Sequence, residues 1–170
     1  SEEYVCNNCG HHFYTEGLEF TLSEDGNSYS VSGYNGESTE VIIPAMYGSR
    51  PVTVIGESAF YGNESITKVV LLNGLERIES DSFNMCSNLT EINIPNTVAY
   101  IGSLAFFRTS LSEITIPNSV LYIGDSAFKY ISTLEKLSVP FVGSSADDVT
   151  NNYLGYFFGA PSYQEHDYYL

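Results

Sequence analysis

Apolar residues recur along the middle of the chain with a period of 22 or 23 residues. Three separate columns of positions keep this period: a phenylalanine, an isoleucine, and a leading leucine or isoleucine. Successive members stand 23, 23 and 22 residues apart in the first two columns and 23, 22 and 23 apart in the third. Agreement among three columns indicates an internal repeat. The columns are Phe60, Phe83, Phe106 and Phe128; Ile55, Ile78, Ile101 and Ile123; and Ile66, Leu89, Leu111 and Leu134.

Each repeat unit predicts two short strands and a corner. Ile92 and Ile94 stand two residues apart, which is the spacing of inward side chains on a strand. Pro95 ends this strand because it has no N–H for the ladder. A second extended piece is predicted around Ile101, and the glycine after it permits a corner. The Ala-Phe pair at 105–106 is then expected to point inward from a single helical turn.

One such unit cannot bury its own apolar side, so the units must stack. Stacked neighbours bury a shared column of Leu, Ile, Val and Phe, and this burial offsets the entropy lost in ordering each turn. The sequence therefore predicts a β-rich repeat solenoid over residues 41–140. Its first turn is longer than the others, because a turn-rich bulge lies around residues 47–51.

Two consecutive units, LTEINIPNTVAYIGSLAF (89–106) and LSEITIPNSVLYIGDSAF (111–128), resemble the BspA-type leucine-rich repeats of bacterial surface proteins. The resemblance covers about residues 41–140, and the segments 19–44 and 139–160 resemble the ends of such arrays. It implies a leucine-rich-repeat solenoid, a right-handed superhelix with a parallel sheet on one face. It also implies export or anchoring at the cell surface, and some members of the family are adhesins that bind host matrix proteins.

The chain departs from the family pattern at two places. Glu79 stands where glycine is usual, and the segment VVLLNG (69–74) lacks the proline. These departures predict a less regular turn within the same array.

Segments with a different pattern flank the repeats. Residues 17–40 are predicted to form a capping β-hairpin, because apolar and polar residues alternate in FTL (20–22) and YSV (29–31) around a glycine-containing loop. Residues 141–170 are rich in aromatic side chains and are predicted to cover the last repeat or to begin a further one. A sugar-binding platform is the alternative for these rings, which are Tyr153, Tyr156, Phe157, Phe158, Tyr163, Tyr168 and Tyr169.

The N-terminal segment, residues 1–16, contains a C-x-x-C-G pattern that resembles half of a zinc ribbon. Two thiolates at this spacing suit Zn²⁺, but a second such pair is absent from the sequence. Three alternatives stay open: a degenerate half-ribbon without metal, a disulfide between the two cysteines, and a structural zinc site. No other cofactor is predicted. The candidate ligands are Cys6, Cys9, His11 and His12, with His166 as a distant addition.

Catalytic patterns are missing from the sequence. It contains no G-x-S-x-G, H-E-x-x-H or P-loop motif, and the acidic pairs Glu24-Asp25 and Asp147-Asp148 lack the spacing of a calcium loop. Cys86 occupies a small position of the repeat and is predicted to be a packed thiol. A shallow solenoid face also offers no cleft in which two carboxylates could flank a glycosidic bond. We therefore predict that the protein is not an enzyme.

The net charge of the chain disfavours some classes of binding partner. The chain carries 21 acidic and 6 basic side chains, a formal net charge of −15. This disfavours nucleic acid and anionic membrane surfaces, because phosphate binding needs clustered Lys and Arg. No apolar run reaches the roughly 18 residues that membrane insertion requires.

The predicted location is extracellular or at the cell surface, with the cytoplasm as the alternative. The chain begins at Ser1 without an initiator Met, as expected of a trimmed chain. The missing signal peptide therefore does not count against export.

The strand register predicts which side chains face outward. With the leucine and isoleucines of the strand inward, Glu91 and Asn93 point out, and the equivalent pairs of the other turns form two ladders along the stack. Ion pairs are expected along one ladder. Ile42 and Val70 form an apolar corner suited to a protein contact or to cover by the N-terminal segment. The ladders are Glu40, Lys68, Glu91, Glu113 and Lys136, and Ile42, Val70, Asn93, Thr115 and Ser138.

All of these residues except Glu40 and Ser138 make up the predicted binding surface. The leading hypothesis is a noncatalytic protein-interaction or adhesion module of a bacterial surface or secreted protein, whose partner is another protein such as a host or matrix protein. A second hypothesis is a cytosolic scaffold that an N-terminal zinc knuckle docks to a partner. A third is a carbohydrate-binding domain.

Overall fold

The computed structural model describes residues 14–147 and 154–159. This part of the chain winds into a solenoid of about five turns, which confirms the predicted fold. Each regular turn gives one strand to a first face, one strand to a second face and a run of tight turns to a third side. The strands are β1 (Leu18–Leu22), β2 (Tyr29–Tyr34), β3 (Glu40–Ile43), β4 (Met46–Tyr47), β5 (Arg50–Ile55), β6 (Lys68–Leu71), β7 (Arg77–Ile78), β8 (Glu91–Ile92), β9 (Tyr100–Ile101), β10 (Glu113–Thr115), β11 (Tyr122–Ile123) and β12 (Lys136–Ser138), and a 3₁₀ helix covers Leu154–Phe158.

The second face carries a continuous sheet with the strand order β1-β2-β5-β7-β9-β11. Along this order all neighbours are parallel except β1 and β2, and β4 pairs antiparallel with β5 beside it. The bonds that join the turns are uniform: the Gly102 N–H donates to the Ile78 carbonyl and the Gly124 N–H to the Ile101 carbonyl, both at 2.8 Å. The residues that the register aligns across this face are Val31, Ile55, Ile78, Ile101 and Ile123, all fully buried.

The predicted hairpin cap is confirmed, and it forms the N-terminal end of this second-face sheet. β1 and β2 pair antiparallel, and β2 then pairs parallel with β5. The ring of Phe20 in β1 stacks on Tyr47 at a centroid distance of 4.0 Å, and Val31 in β2 is fully buried. The hairpin thus covers apolar side chains that the first turn of the solenoid would otherwise expose to water.

The first face also consists of parallel strands, but its sheet is split. β3, β6 and β8 form one three-stranded sheet, and among the described strands β10 pairs with β12 alone. The resemblance implied a parallel sheet on one face, whereas parallel strands line two faces here. The reason is that both extended pieces of each unit pair with their neighbours.

A column of phenylalanines fills the core between the faces. Phe60, Phe83, Phe106 and Phe128 are at most 2% exposed. Successive ring centroids are 5.0, 5.7 and 5.7 Å apart, with interplanar angles of 14°, 3° and 7°. Burying one such side chain stabilises the fold by about 1.5–3 kcal/mol, and each aromatic pair adds about 0.5–1.5 kcal/mol. Phe157 closes the column, edge-on against Phe128 at 5.9 Å.

The third side corrects one prediction. The helical turn expected at 105–106 is wrong, because consecutive tight turns form there. These turns direct alternate N–H groups along the stack, so Phe60, Phe83 and Phe106 each donate to a carbonyl of the next turn at 2.8 to 2.9 Å. In an α-helix each of these N–H groups would instead donate to a carbonyl four residues earlier in the same repeat. Two positions of every turn are left-handed, namely Ser58, Asp81, Leu104 and Ser126, and Gly62, Met85, Arg108 and Tyr130.

Each left-handed residue other than glycine costs about 1–2 kcal/mol. The cross-turn hydrogen bonds and the burial of the phenylalanine rings offset this cost. The third side is therefore held by the stack and not by the local preference of its sequence.

Candidate functional site

The structure places the predicted binding residues on the first face, in the predicted register. Glu40, Lys68 and Glu91 lie side by side on β3, β6 and β8, and Glu113 lies beside Lys136 on β10 and β12. In the second ladder Ile42 is aligned with Val70, and Thr115 with Ser138. What these residues bind stays a prediction.

Two of the expected ion pairs are present on this face. The Lys68 Nζ lies 3.1 Å from the Glu91 Oε2, and the Lys136 Nζ lies 3.5 Å from the Glu113 Oε2. Their side chains are between 40% and 71% exposed. Solvent-exposed pairs of this kind contribute about 0.2–1 kcal/mol or less, so these pairs orient side chains more than they stabilise the solenoid.

Asn93 is exposed as predicted, but its amide is not free for a partner. The Asn93 Oδ1 accepts a hydrogen bond from the Leu71 N–H at 2.9 Å, and its Nδ2 donates to the Leu71 carbonyl at 2.8 Å. The side chain thereby replaces the backbone bonds that a longer β8 would have made. Its role between the turns is structural, which the outward register alone did not predict.

The split in the first face lies between β8 and β10, which do not pair. In the other turns a cross-turn bond precedes the strand: the Thr90 N–H donates to the Thr67 carbonyl at 2.9 Å, and the Glu135 N–H to the Ser112 carbonyl at 2.8 Å. In the turn that leads into β10, the residue equivalent to these donors is Ser112. The bond instead comes from a residue two positions earlier, since the Ser110 N–H donates to the Leu89 carbonyl at 3.0 Å.

The split coincides with the short step in the repeat spacing. Leu89 and Leu111 are 22 residues apart, whereas Ile66 and Leu89, and Leu111 and Leu134, are 23 apart. The missing residue falls between Phe106 and Leu111, directly before β10. The chain therefore enters β10 one residue early, and the ladder with β8 does not form.

Two adjoining cavities of about 390 and 550 Å³ open along this split. We term them together the first-face cleft. Ile92, Asn93 and Glu113 line both cavities. Six of the eight residues of the predicted binding surface line the cleft, namely Lys68, Val70, Glu91, Asn93, Glu113 and Thr115.

Charged side chains are arranged symmetrically about the split between β8 and β10. Glu91 and Glu113 stand on the two strands next to the split, and their partners Lys68 and Lys136 stand one strand further out, on β6 and β12, with Lys68 also lining the cleft. The order across the face is thus Lys, Glu, cleft, Glu, Lys. A cationic group entering the cleft would meet carboxylates from both sides.

The predicted apolar corner at Ile42 and Val70 is only half-exposed. Residues before the hairpin cover the edge of β3 beside it. The Ile42 N–H donates to the Thr15 Oγ1 at 2.7 Å, and the Thr15 N–H donates to the Ile42 carbonyl at 3.3 Å. The N-terminal segment therefore covers this edge of β3, as one of the two alternatives predicted. This cover reduces the apolar surface that the corner presents to a partner.

The second face carries a row of packed side chains that sequence reasoning missed. The guanidinium of Arg77 lies 3.8 Å from the ring centroid of Tyr100, which stacks on Tyr122 at 4.9 Å. The Glu79 carboxylate accepts a hydrogen bond from Arg77 at 2.6 Å and so raises the pKa of that guanidinium. Glu79 thus departs from the usual glycine at its position but gains an ion pair.

The third side presents the most exposed aromatic side chains of the repeats, also missed. Tyr61 is 55% exposed and Tyr130 is 62% exposed. They stand one and two positions after the inward phenylalanine of their turns. That offset from the phenylalanine column is the signal in the sequence that could have identified them.

Two of the candidate residues, Cys86 and Asp25, have structural roles. Cys86 is buried and its Sγ–H donates to the Phe60 carbonyl at 3.0 Å, and burial raises the pKa of this thiol to about 12. Asp25 accepts hydrogen bonds from the Ser23 hydroxyl and from Asn27, which lower its pKa to about 2. These bonds fix the hairpin loop.

The candidate zinc ligands Cys6, Cys9, His11 and His12, and also His166, lie outside the described residues. Within 14–147 and 154–159, no group of three or more His, Cys, Asp or Glu side chains could hold a metal ion. In the same ranges no helix is long and apolar enough to cross a bilayer.

Comparison with known proteins agrees with this architecture. A family model described as a BspA type leucine rich repeat region matches residues 53–150, in six copies. A leucine-rich repeat protein from Bacteroides capillosus is 30% identical, with a TM-score of 0.64 over 73% of this chain and 94% of that one. No curated protein matches the chain.

Two further solved structures share the fold. A T. pallidum leucine rich repeat protein is 24% identical, with a TM-score of 0.68 over 74% of this chain and 64% of that one. A leucine-rich repeat protein from Bacteroides ovatus is 27% identical, with a TM-score of 0.57 over 76% of this chain and 42% of that one. The chain thus spans less than two thirds of the length of either protein.

Proposed function

Because this chain belongs to the BspA-type leucine-rich repeat family, we propose that it is a noncatalytic protein-interaction module of a bacterial surface or secreted protein. The observation that carries the proposal is the first-face cleft. It is a concave, polar opening in an otherwise regular stack, and it coincides with the outward ladders of the first face.

The cleft suits a segment of a protein partner that carries a basic side chain. Glu91 and Glu113 supply carboxylates from its two sides, and Ile92 supplies an apolar floor. Where two strands fail to pair, an extended segment can add hydrogen bonds to the open edge. Complementary charge at such a site contributes to specificity and to the rate of association.

Location at the cell surface or outside the cell is part of the same proposal. The strongly acidic composition and the family resemblance support it. Labelling of intact cells with a membrane-impermeant reagent tests it: we expect the natural protein to be labelled before lysis, and labelling only after lysis would contradict export.

Binding of the chain to a panel of purified extracellular matrix proteins, measured by surface plasmon resonance, tests the interaction role. We expect the double variant Glu91→Gln/Glu113→Gln to bind about tenfold more weakly. The matched control is Glu37→Gln/Glu57→Gln, because both of these carboxylates are exposed and lie off the first face. This control should bind like the unaltered chain.

Two outcomes would contradict the proposal. Equal loss of binding in both double variants would show that net charge, and not the cleft, governs the contact. Cleavage or chemical change of a bound matrix protein by the pure chain would show that the module is catalytic.

A further inference from the structure

The third side contains a position at which every turn adopts the same left-handed conformation. Its four residues have φ angles of 67°, 61°, 54° and 60° in successive turns. The backbone there is fixed by the cross-turn bonds of the third side. The four residues are Gly62, Met85, Arg108 and Tyr130.

Glycine adopts this left-handed backbone conformation with less strain than any other residue. Gly62 shows that the turn closes without a side chain at this position. Met85, Arg108 and Tyr130 are strained there, and they are not core residues, because Met85 is 36% exposed and Tyr130 is 62% exposed. Bulky side chains at a position that favours glycine, and directed to solvent, indicate a surface role.

These side chains and their neighbours form two contact groups on successive turns of the third side. The Tyr61 hydroxyl lies 3.5 Å from the Met85 Sδ, and the rings of Phe107 and Tyr130 meet edge to face at 5.3 Å. The Arg108 guanidinium lies 5.4 and 5.5 Å from those two ring centroids. We term these groups together the aromatic ridge, which consists of Tyr61, Met85, Phe107, Arg108, Lys129 and Tyr130.

The ridge also holds positive charge that the described residues leave uncompensated. Of the six basic residues of the chain, Lys68, Arg77 and Lys136 form ion pairs with glutamates, and Arg50 donates to the Gly26 carbonyl. The other two are Arg108 and Lys129.

Neither Arg108 nor Lys129 has a carboxylate partner within residues 14–147 and 154–159. Both instead lie over the Tyr130 ring, at 5.5 and 5.2 Å. In a chain with a net charge of −15, the ridge is therefore a local basic and aromatic patch.

We propose that the aromatic ridge is a second interaction surface, which docks an acidic segment of another protein. Tyr, Met and Arg are the residues that concentrate at the centres of protein interfaces. An arginine already oriented by two rings binds a carboxylate with little loss of side-chain freedom. The ridge lies on the third side, so this contact is independent of the first-face cleft.

A synthetic peptide array of fixed peptide length, graded from acidic to basic net charge, tests the proposal with the fluorescently labelled full chain. The unaltered chain is expected to retain acidic peptides that contain apolar residues, and Arg108→Glu to retain them about tenfold less. Arg50→Glu makes the same charge change away from the ridge and should keep the binding. Added salt should weaken it, because exposed charges are screened.

Tyr130→Gly provides a second variant that relieves the strained backbone while removing a ridge side chain. It should fold normally, by circular dichroism, and still lose acidic peptides. The proposal is overturned if neutral analogues with Asn and Gln bind as well as acidic peptides, or if Arg50→Glu loses as much as Arg108→Glu. It is also overturned if sedimentation shows that Arg108→Glu abolishes self-association, because the occupant would then be a second copy of this chain.

Discussion

The first and second faces of the solenoid are built from the same repeats, yet one sheet is split and the other is continuous. Both faces meet the shortened turn that ends before Leu111. On the first face β8 and β10 fail to pair, because the missing residue lies directly before β10. On the second face β9 and β11 pair in regular register, with Ile101 aligned to Ile123.

The difference shows how far a one-residue change travels in a stacked fold. At β11 the turns are paired in register, and the columns of buried phenylalanine and isoleucine side chains run through this part of the stack without a break. A repeat protein can therefore open a cleft on one face while its core stays regular. The local sequence of the turn sets the cleft, and the column of rings limits its extent.

The largest effect is expected from a substitution in the column of buried phenylalanine rings, which keeps both faces in register. Phe106→Ala should lower the free energy of unfolding by about 3–5 kcal/mol, because a fully buried ring leaves a cavity in a core that relaxes little. Urea denaturation measures the loss. A loss below about 1 kcal/mol would show that the rings do not hold the turns together.

The next prediction concerns the side chain that ends β8 on the first face. Asn93→Ala should cost about 1–2 kcal/mol, because the Leu71 N–H and carbonyl lose both amide partners. Asn96→Ala is the matched control, since Asn96 is exposed and lies just beyond the strand. Equal stability of the two variants would mean that water replaces the Asn93 amide at no cost.

Much of this fold followed from the sequence, because its repeat columns state directly which side chains share a core. Ile78, Ile101 and the four phenylalanines were assigned inward and are buried. The third side was not predicted correctly, since an Ala-Phe pair points inward from a helical turn and from consecutive tight turns alike. Only the hydrogen bonds between turns distinguish the two.

The candidate site was predicted in part for a related reason. Alternation placed Glu91, Asn93 and Glu113 outward, and they are exposed. Two features of the site were not predicted, namely the split between β8 and β10 and the hydrogen bonds of the Asn93 amide. Both depend on how two neighbouring turns align, and the sequence of a single turn does not determine that alignment. The step of 22 residues was visible in the sequence, but its consequence appears only when the strands are paired.

A smaller effect is expected on the third side, where backbone strain can be separated from side-chain contacts. Tyr130→Gly should be more stable than Tyr130→Ala by about 1 kcal/mol, because alanine keeps the left-handed strain at φ 60° and glycine does not. Thermal unfolding of the two variants measures the difference. The opposite order would show that this position is not left-handed in solution.

The smallest effect concerns the N-terminal cysteines, which lie outside the described residues. We expect the chain purified without a tag to retain no zinc, as for a degenerate half-ribbon, and Cys6→Ser/Cys9→Ser to leave the melting temperature unchanged. Metal analysis by mass spectrometry provides the measurement. About one zinc per chain, or per two chains, would contradict this and assign the cysteines to a structural site.

The most direct test of the account restores the missing residue. An Asn inserted between Ser110 and Leu111 lengthens the short turn to match its neighbours, in which Asn88 precedes Leu89. Hydrogen exchange of the amides in β10 should slow, because β8 and β10 then pair and the first-face cleft closes, while exchange in β9 and β11 should not change. Unaltered exchange in β10 would contradict the claim that one missing residue opens the first face.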